Sequence, residues 1–221
     1  MSNQNINFKE SLLKVASVSF LSGGISNESG SNRNVSFVSR KLTEELGEMA
    51  EEQILNSKSK KEDFINEVID SIIVTSDLFY IYEVSAQSSV EQAHEKLIEH
   101  IKVVNKNNTI TIANQDYSSS FLHLMMYSGE LSLAVQYQEN ETYKTLSDIN
   151  QDVSTIEEHT QQLLAKILSV LLNILDYEIS FILVCDNYSK ETLTDMAQQM
   201  FDKKLNKWQQ KAQETKDLHD H

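Results

Sequence analysis

Carboxylates recur in this chain at spacings that suit a metal ion. Within Lys41-Leu42-Thr43-Glu44-Glu45-Leu46-Gly47-Glu48-Met49-Ala50-Glu51-Glu52 the acids read E-E-x-x-E, and after a spacer of 18 residues the segment Glu67-Val68-Ile69-Asp70 reads E-x-x-D. A helix advances about 100° per residue, so Glu45 and Glu48 fall about 60° apart on one face, and Glu67 and Asp70 hold the same relation. If the helices carrying these pairs lie antiparallel, as a short connection favours, four carboxylates converge on one small volume. Four like charges that close must take up protons or hold a cation. A hard cation with oxygen ligands is the natural occupant, and Mg²⁺ keeps positions open for water and a substrate phosphate.

The pattern resembles the signature of the all-α nucleoside triphosphate pyrophosphohydrolase superfamily, which holds MazG-type enzymes, dimeric dUTPases and phosphoribosyl-ATP pyrophosphohydrolases. Glu44, Glu45, Glu48, Glu67 and Asp70 fill its five positions, and the match covers roughly residues 37 to 82. The resemblance implies Mg²⁺, with Mn²⁺ as the alternative, held by Glu45, Glu48, Glu67 and Asp70. It implies a nucleoside triphosphate substrate, cleaved to the monophosphate and pyrophosphate by water attacking the α-phosphorus. Glu44 is then the accessory carboxylate or base. The wider role would be nucleotide-pool cleaning, or hydrolysis of dUTP or dCTP.

A plainer reading competes: Glu44, Glu48 and Glu51 lie opposite the apolar stripe Val38, Leu42, Leu46 and Met49, as on any solvated acidic face. The protein would then be a non-catalytic helical interaction module. The next helix weighs against this. From Ile72 to Tyr82 it is apolar almost all round, which marks a central, buried helix. Glu67 and Asp70 adjoin that stretch, where charge is rarely kept without a partner or a metal. A third reading starts from Glu91-Gln92-Ala93-His94, an E-x-x-H pair of the kind used in di-iron carboxylate bundles. That architecture needs two such pairs and no second one is found, so His94 is expected on the surface. The segment Ser57-Lys58-Ser59-Lys60-Lys61 is either a solvated loop or a phosphate contact through Lys58, Lys60 and Lys61.

The elements that must position these groups are helices. The 221 residues include no proline and five glycines, which suits long helices and argues against a turn-dense β fold. A net charge of −14 argues against a non-specific binder of nucleic-acid polymers, whose affinity rests on Lys and Arg. The lone Cys185 reads as a buried structural thiol. No signal peptide is evident, and the longest apolar run, near Ile167 to Val184, is interrupted by Asn173, Asp176 and Glu178. No membrane partner and a cytoplasmic location are therefore expected.

Helical spacing is expected over residues 6 to 21, Ser36 to Leu55, Glu62 to Val84, Ser89 to Val104, Leu163 to Val184 and Ser189 to Lys211. The Gly/Ser/Asn-rich residues 22 to 34 are expected to form a mobile connection, or else a lid over the nucleotide with Arg33 nearby. Residues 105 to 119 are expected to link two halves, and the tail from Glu214 to fray. Gly129-Glu130-Leu131-Ser132-Leu133-Ala134 echoes Gly47-Glu48-Met49-Ala50 after a shift of 82 residues, and a shift of 99 sets Leu163 to Val184 against Phe64 to Ser85. In these registers Glu45 meets Tyr127, while Glu67 and Asp70 meet Lys166 and Ser169. The expectation is an all-α bundle of about seven or eight helices, a tandem duplication of a four-helix MazG-like unit. Residues 1–108 would form the catalytic half, and residues 109–221 a degenerate half that completes the bundle. By analogy His123, Tyr127, Asp186, Asn187, Lys203, Lys207 or Trp208 would help enclose the substrate, although Trp208 with Phe201 and Met200 reads first as packing. A homodimer is compatible with this arrangement.

Overall fold

A backbone without proline offers no covalent interruption to a helix, and the structure is helical accordingly. The computed structural model describes residues 8–29, 34–55, 61–107, 117–139, 154–185 and 190–219. Among them lie seven helices: α1 (Phe8–Ser29), α2 (Val35–Leu55), α3 (Lys61–Ser85), α4 (Val90–Asn107), α5 (Tyr117–Glu139), α6 (Ser154–Cys185) and α7 (Lys190–His219). The described residues contain no strand, and no helix among them is long and apolar enough to cross a membrane.

The helix ends have local chemical causes. Asn34 caps α2, its Oδ1 accepting the Phe37 N–H at 2.8 Å. Ser89 and Gln92 form a reciprocal box at the start of α4: the Gln92 N–H reaches Ser89 Oγ at 3.2 Å, and the Ser89 N–H reaches Gln92 Oε1 at 2.9 Å. At the end of α3 the Gln87 N–H donates to Val84 O and the Ser88 N–H to Glu83 O, both at 3.1 Å. This is a Schellman closure, and Gln87 holds the left-handed position, φ 59°, that glycine usually takes.

α3 and α6 form the centre. α3 packs against α1, α2, α4, α6 and α7, while α6 packs against α3, α4, α5 and α7. Val68, Ile69, Ile72, Leu78, Phe79 and Tyr80 of α3 are fully buried, as are Leu163, Leu164, Ile167, Leu168, Leu171 and Ile174 of α6. Both halves of the chain feed one continuous apolar cluster. Each such side chain, moved out of water, contributes about 1.5–3 kcal/mol. Two buried hydroxyls of α3 are satisfied by their own helix: Thr75 Oγ1 donates to Ser71 O and Ser76 Oγ to Ile72 O. Glu83 is buried and joins three elements, accepting from Lys96 at 2.6 Å, Gln161 at 2.6 Å and Ser88 at 2.7 Å.

Four expectations are corrected. Residues 22 to 29, expected as a loop, continue α1 to Ser29. Gly23 serves close packing there, because a Cβ would stand 2.9 Å from Val84 Cγ1 on α3. Residues 30–33, including Arg33, lie outside the described residues. Asn105 to Asn107 and Tyr117 to Ser119, expected in the linker, belong to α4 and α5. The tail is helical to His219, aided by Gln210–Glu214 and Gln213–Asp217 hydrogen bonds at 2.9 and 2.8 Å. His94 is not on the surface. It is 4% exposed beside Ala93, Leu97 and Ile101 on the buried face of α4, with Nδ1 3.4 Å from the Tyr80 hydroxyl. An imidazole is mostly apolar in area, so helical register decided its place.

Candidate metal centre

α2 and α3 are consecutive helices packed against each other, and α7 packs on α3. On α2 the buried stripe Val38, Leu42 and Met49 turns the helix so that Glu45, at its border, points inward with 5% exposure. Glu67 and Asp70, one turn apart on α3, are half-buried. One ligand oxygen from each of Glu45, Glu67 and Asp70 lies within 4.8 Å of the other two, and this is the only such acid, His or Cys group among the described residues.

The remaining signature acids stand apart from this trio. Glu48 is exposed on α2, though its charge is felt at both Glu45 and Glu67. Glu44 is exposed and pairs with Lys41 at 3.3 Å. Lys58 and Lys60 lie outside the described residues, and so does the side chain of Lys61 at the start of α3. So do Asp186, Asn187 and the side chain of Cys185. Lys203 and Lys207 are exposed, and Trp208 packs against the core. Glu91 is exposed while His94 is buried, so the E-x-x-H pair does not gather a site.

Two ammonium groups answer the three carboxylates. Lys41 Nζ meets Glu45 Oε1 at 2.7 Å. Lys204, on α7, places Nζ on Asp70 Oδ2 and also donates to the Asn66 carbonyl at 3.3 Å. Sequence reasoning passed over Lys204. The available signal was its register: Ala197, Phe201, Lys204 and Trp208 share one helical stripe, so this charge sits in line with packed apolar groups.

The electrostatics record a strained cluster. Burial pushes the Glu67 carboxyl up to about 7, the Asp70 charge adds to the rise, Lys204 opposes it, and Glu48 and Glu45 raise it further. Glu45 is also raised, chiefly by burial, with the Lys41 hydrogen bond opposing and Asp70 and Glu48 adding. The same bond to Glu45 raises Lys41.

The donor set fits a hard divalent cation. An octahedral Mg²⁺ holds its oxygens about 2.9 Å apart when adjacent and about 4.1 Å when opposite, from a bond length near 2.05 Å. Lys204 already stands in for a cation at Asp70.

In the second half, Lys166 Nζ lies 5.3 Å from the centre of the Tyr127 ring, and Ser169 Oγ donates to Asn105 Oδ1. His123 stacks at a tilt on Tyr127, ring centres 5.9 Å apart. Compared with known proteins, the chain matches no protein-family model, no curated protein and no solved structure.

Proposed function

We propose that this protein is a Mg²⁺-dependent nucleoside triphosphate pyrophosphohydrolase, with Mn²⁺ able to substitute. The observation that carries this reading is the convergence of Glu45, Glu67 and Asp70 from two helices, one of them almost wholly buried. Three acids are seldom gathered at a buried seam unless something positive is to be held there. Glu45, Glu67 and Asp70 would hold the ion, and Glu48, one turn beyond Glu45 and close enough for its charge to act on Glu45 and Glu67, would be the fourth acid. The ion, when bound, neutralises triphosphate charge and lowers the pKa of a bound water. In the reaction, water adds to the α-phosphorus, the α–β phosphoanhydride bond breaks, and pyrophosphate leaves. Glu44, exposed and paired only at the surface with Lys41, is the accessory carboxylate that takes the proton that water loses.

The tandem-duplication reading also gains support. The neighbour pairs α2/α3 and α5/α6, α4/α6 and α7/α3, and α3/α4 and α6/α7 all occur, as two related halves require. Under the shift of 99, Asn105 falls on Lys204, so the Ser169–Asn105 bond stands where Asp70–Lys204 stands in the first half. Tyr127 and Lys166, the counterparts of Glu45 and Glu67, likewise touch each other. The second copy would thus keep the positions while exchanging acid for cation–π and hydroxyl–amide chemistry.

One observation favours the rival, a helical interaction protein: Lys204 and Lys41 already neutralise much of the cluster. Replacing both Glu45 and Glu67 by Gln separates the readings. An enzyme loses triphosphate cleavage while its helical circular dichroism stays intact. If cleavage survives the double change, the site assignment is wrong.

A further inference from the structure

Lys204 arrives from a helix remote in sequence and seats its ammonium among acids. Its side chain is 26% exposed, so a way out to solvent exists. Its Nζ is committed twice, to Asp70 Oδ2 and to the Asn66 carbonyl, and both acceptors belong to the α3 turn that carries Glu67. A divalent ion drawing on Asp70 would share a carboxylate with this ammonium. Two cations on one carboxylate repel, the more so when one is divalent. Lysine, with a four-carbon stem and a strongly hydrated head, is the cation best able to leave.

Resting on the metal-site reading above, we infer that Lys204 is a tethered counter-cation: it holds Asp70 while the carboxylate cluster is metal-free, and divalent binding expels it toward solvent. The device keeps three close carboxylates tolerable without metal and sets a threshold on the metal concentration that fills the site. α7 need not undock when the lysine leaves. Lys14–Asp202 at 2.9 Å and Ser11–Gln198 at 3.1 Å join α7 to α1 independently of the cluster.

The test uses the full chain and two readouts that do not depend on turnover. The first is amine acetylation of the unaltered protein, mapped by mass spectrometry with and without saturating Mg²⁺. Lys204 should label at least about threefold faster with Mg²⁺, while Lys14, paired with Asp202, keeps its rate. The second is Mn²⁺ titration by calorimetry or electron paramagnetic resonance, where Lys204→Met should bind at least about threefold more tightly. If Mn²⁺ binds but Lys204 labelling is unchanged by metal, the inference is overturned and the metal site stands, even should Lys204→Met bind more tightly through charge alone. If neither protein binds Mn²⁺ or Mg²⁺, the metal reading falls and takes this inference with it. Should Lys204→Met not fold, the labelling experiment decides alone.

Discussion

Glu67 concentrates the tension in this molecule. A carboxyl whose folded pKa of about 7 exceeds its unfolded value of about 4.3 opposes folding once it ionises. The metal-free protein should therefore lose stability as pH climbs from about 4 through about 7. Glu67→Gln should flatten that slope and raise the urea midpoint at pH 8, while abolishing divalent binding; an unchanged midpoint would show that the cluster is not strained. Glu83 behaves in the opposite sense. Burial alone would raise it, but hydrogen bonds from Lys96, Ser88 and Gln161 more than offset this and hold it below the usual carboxylate range. Its contribution is fully present above the unfolded value and disappears as pH falls through the lower folded one. Glu83→Ala should cost about 1–3 kcal/mol at pH 7, and Glu83→Gln should weaken the loss of stability between pH 5 and pH 3, both read from urea unfolding. At this scale the sequence was legible where acids follow helical spacing. It was not legible for Lys204, whose place depends on α7 docking from 134 residues away, whereas the inward Glu45 and outward Glu48 follow the helical faces, Glu45 at the border of the apolar stripe and Glu48 opposite it.

Elements were easier to read than their ends. The apolar periods of α2, α3 and α4 located them within about three residues at each end, because an amphipathic stripe records burial directly, whereas α6 begins at Ser154, well before the expected Leu163, and α7 runs on to His219, past the expected Lys211. Errors arose where one residue type serves two physical ends. Gly23 looked like a turn residue and is a contact residue against Val84. The end of α3, expected at Val84, falls one residue later at Ser85, and Gln87 adopts the left-handed conformation that closes the helix. Gln87→Gly should relieve that conformation and stabilise the protein by about 1 kcal/mol, seen as a raised melting temperature. A lowered one would mean that the Gln87 side chain contributes more than its backbone conformation costs.

The whole molecule is built so that the two most apolar helices, α3 and α6, are enclosed by the other five. The candidate centre sits where the inner α3 meets α2 and α7, so metal binding should be felt as global stability. Mg²⁺ should raise the melting temperature of the unaltered protein and leave that of the Glu45→Gln/Glu67→Gln double variant unmoved. The all-helical class and the core helices were legible from composition and periodicity. How the helices of the two halves pack was not legible, because apolar helices resemble one another whatever they pack against. The central claim, that the carboxylate seam serves phosphoanhydride hydrolysis, is tested most directly by pyrophosphate release from a panel of ribo- and deoxynucleoside triphosphates, with Mg²⁺ and with EDTA. The expected result is Mg²⁺-dependent release, favouring particular bases and absent in EDTA. No release from any triphosphate, with Mg²⁺ or Mn²⁺ at millimolar concentration, would contradict it.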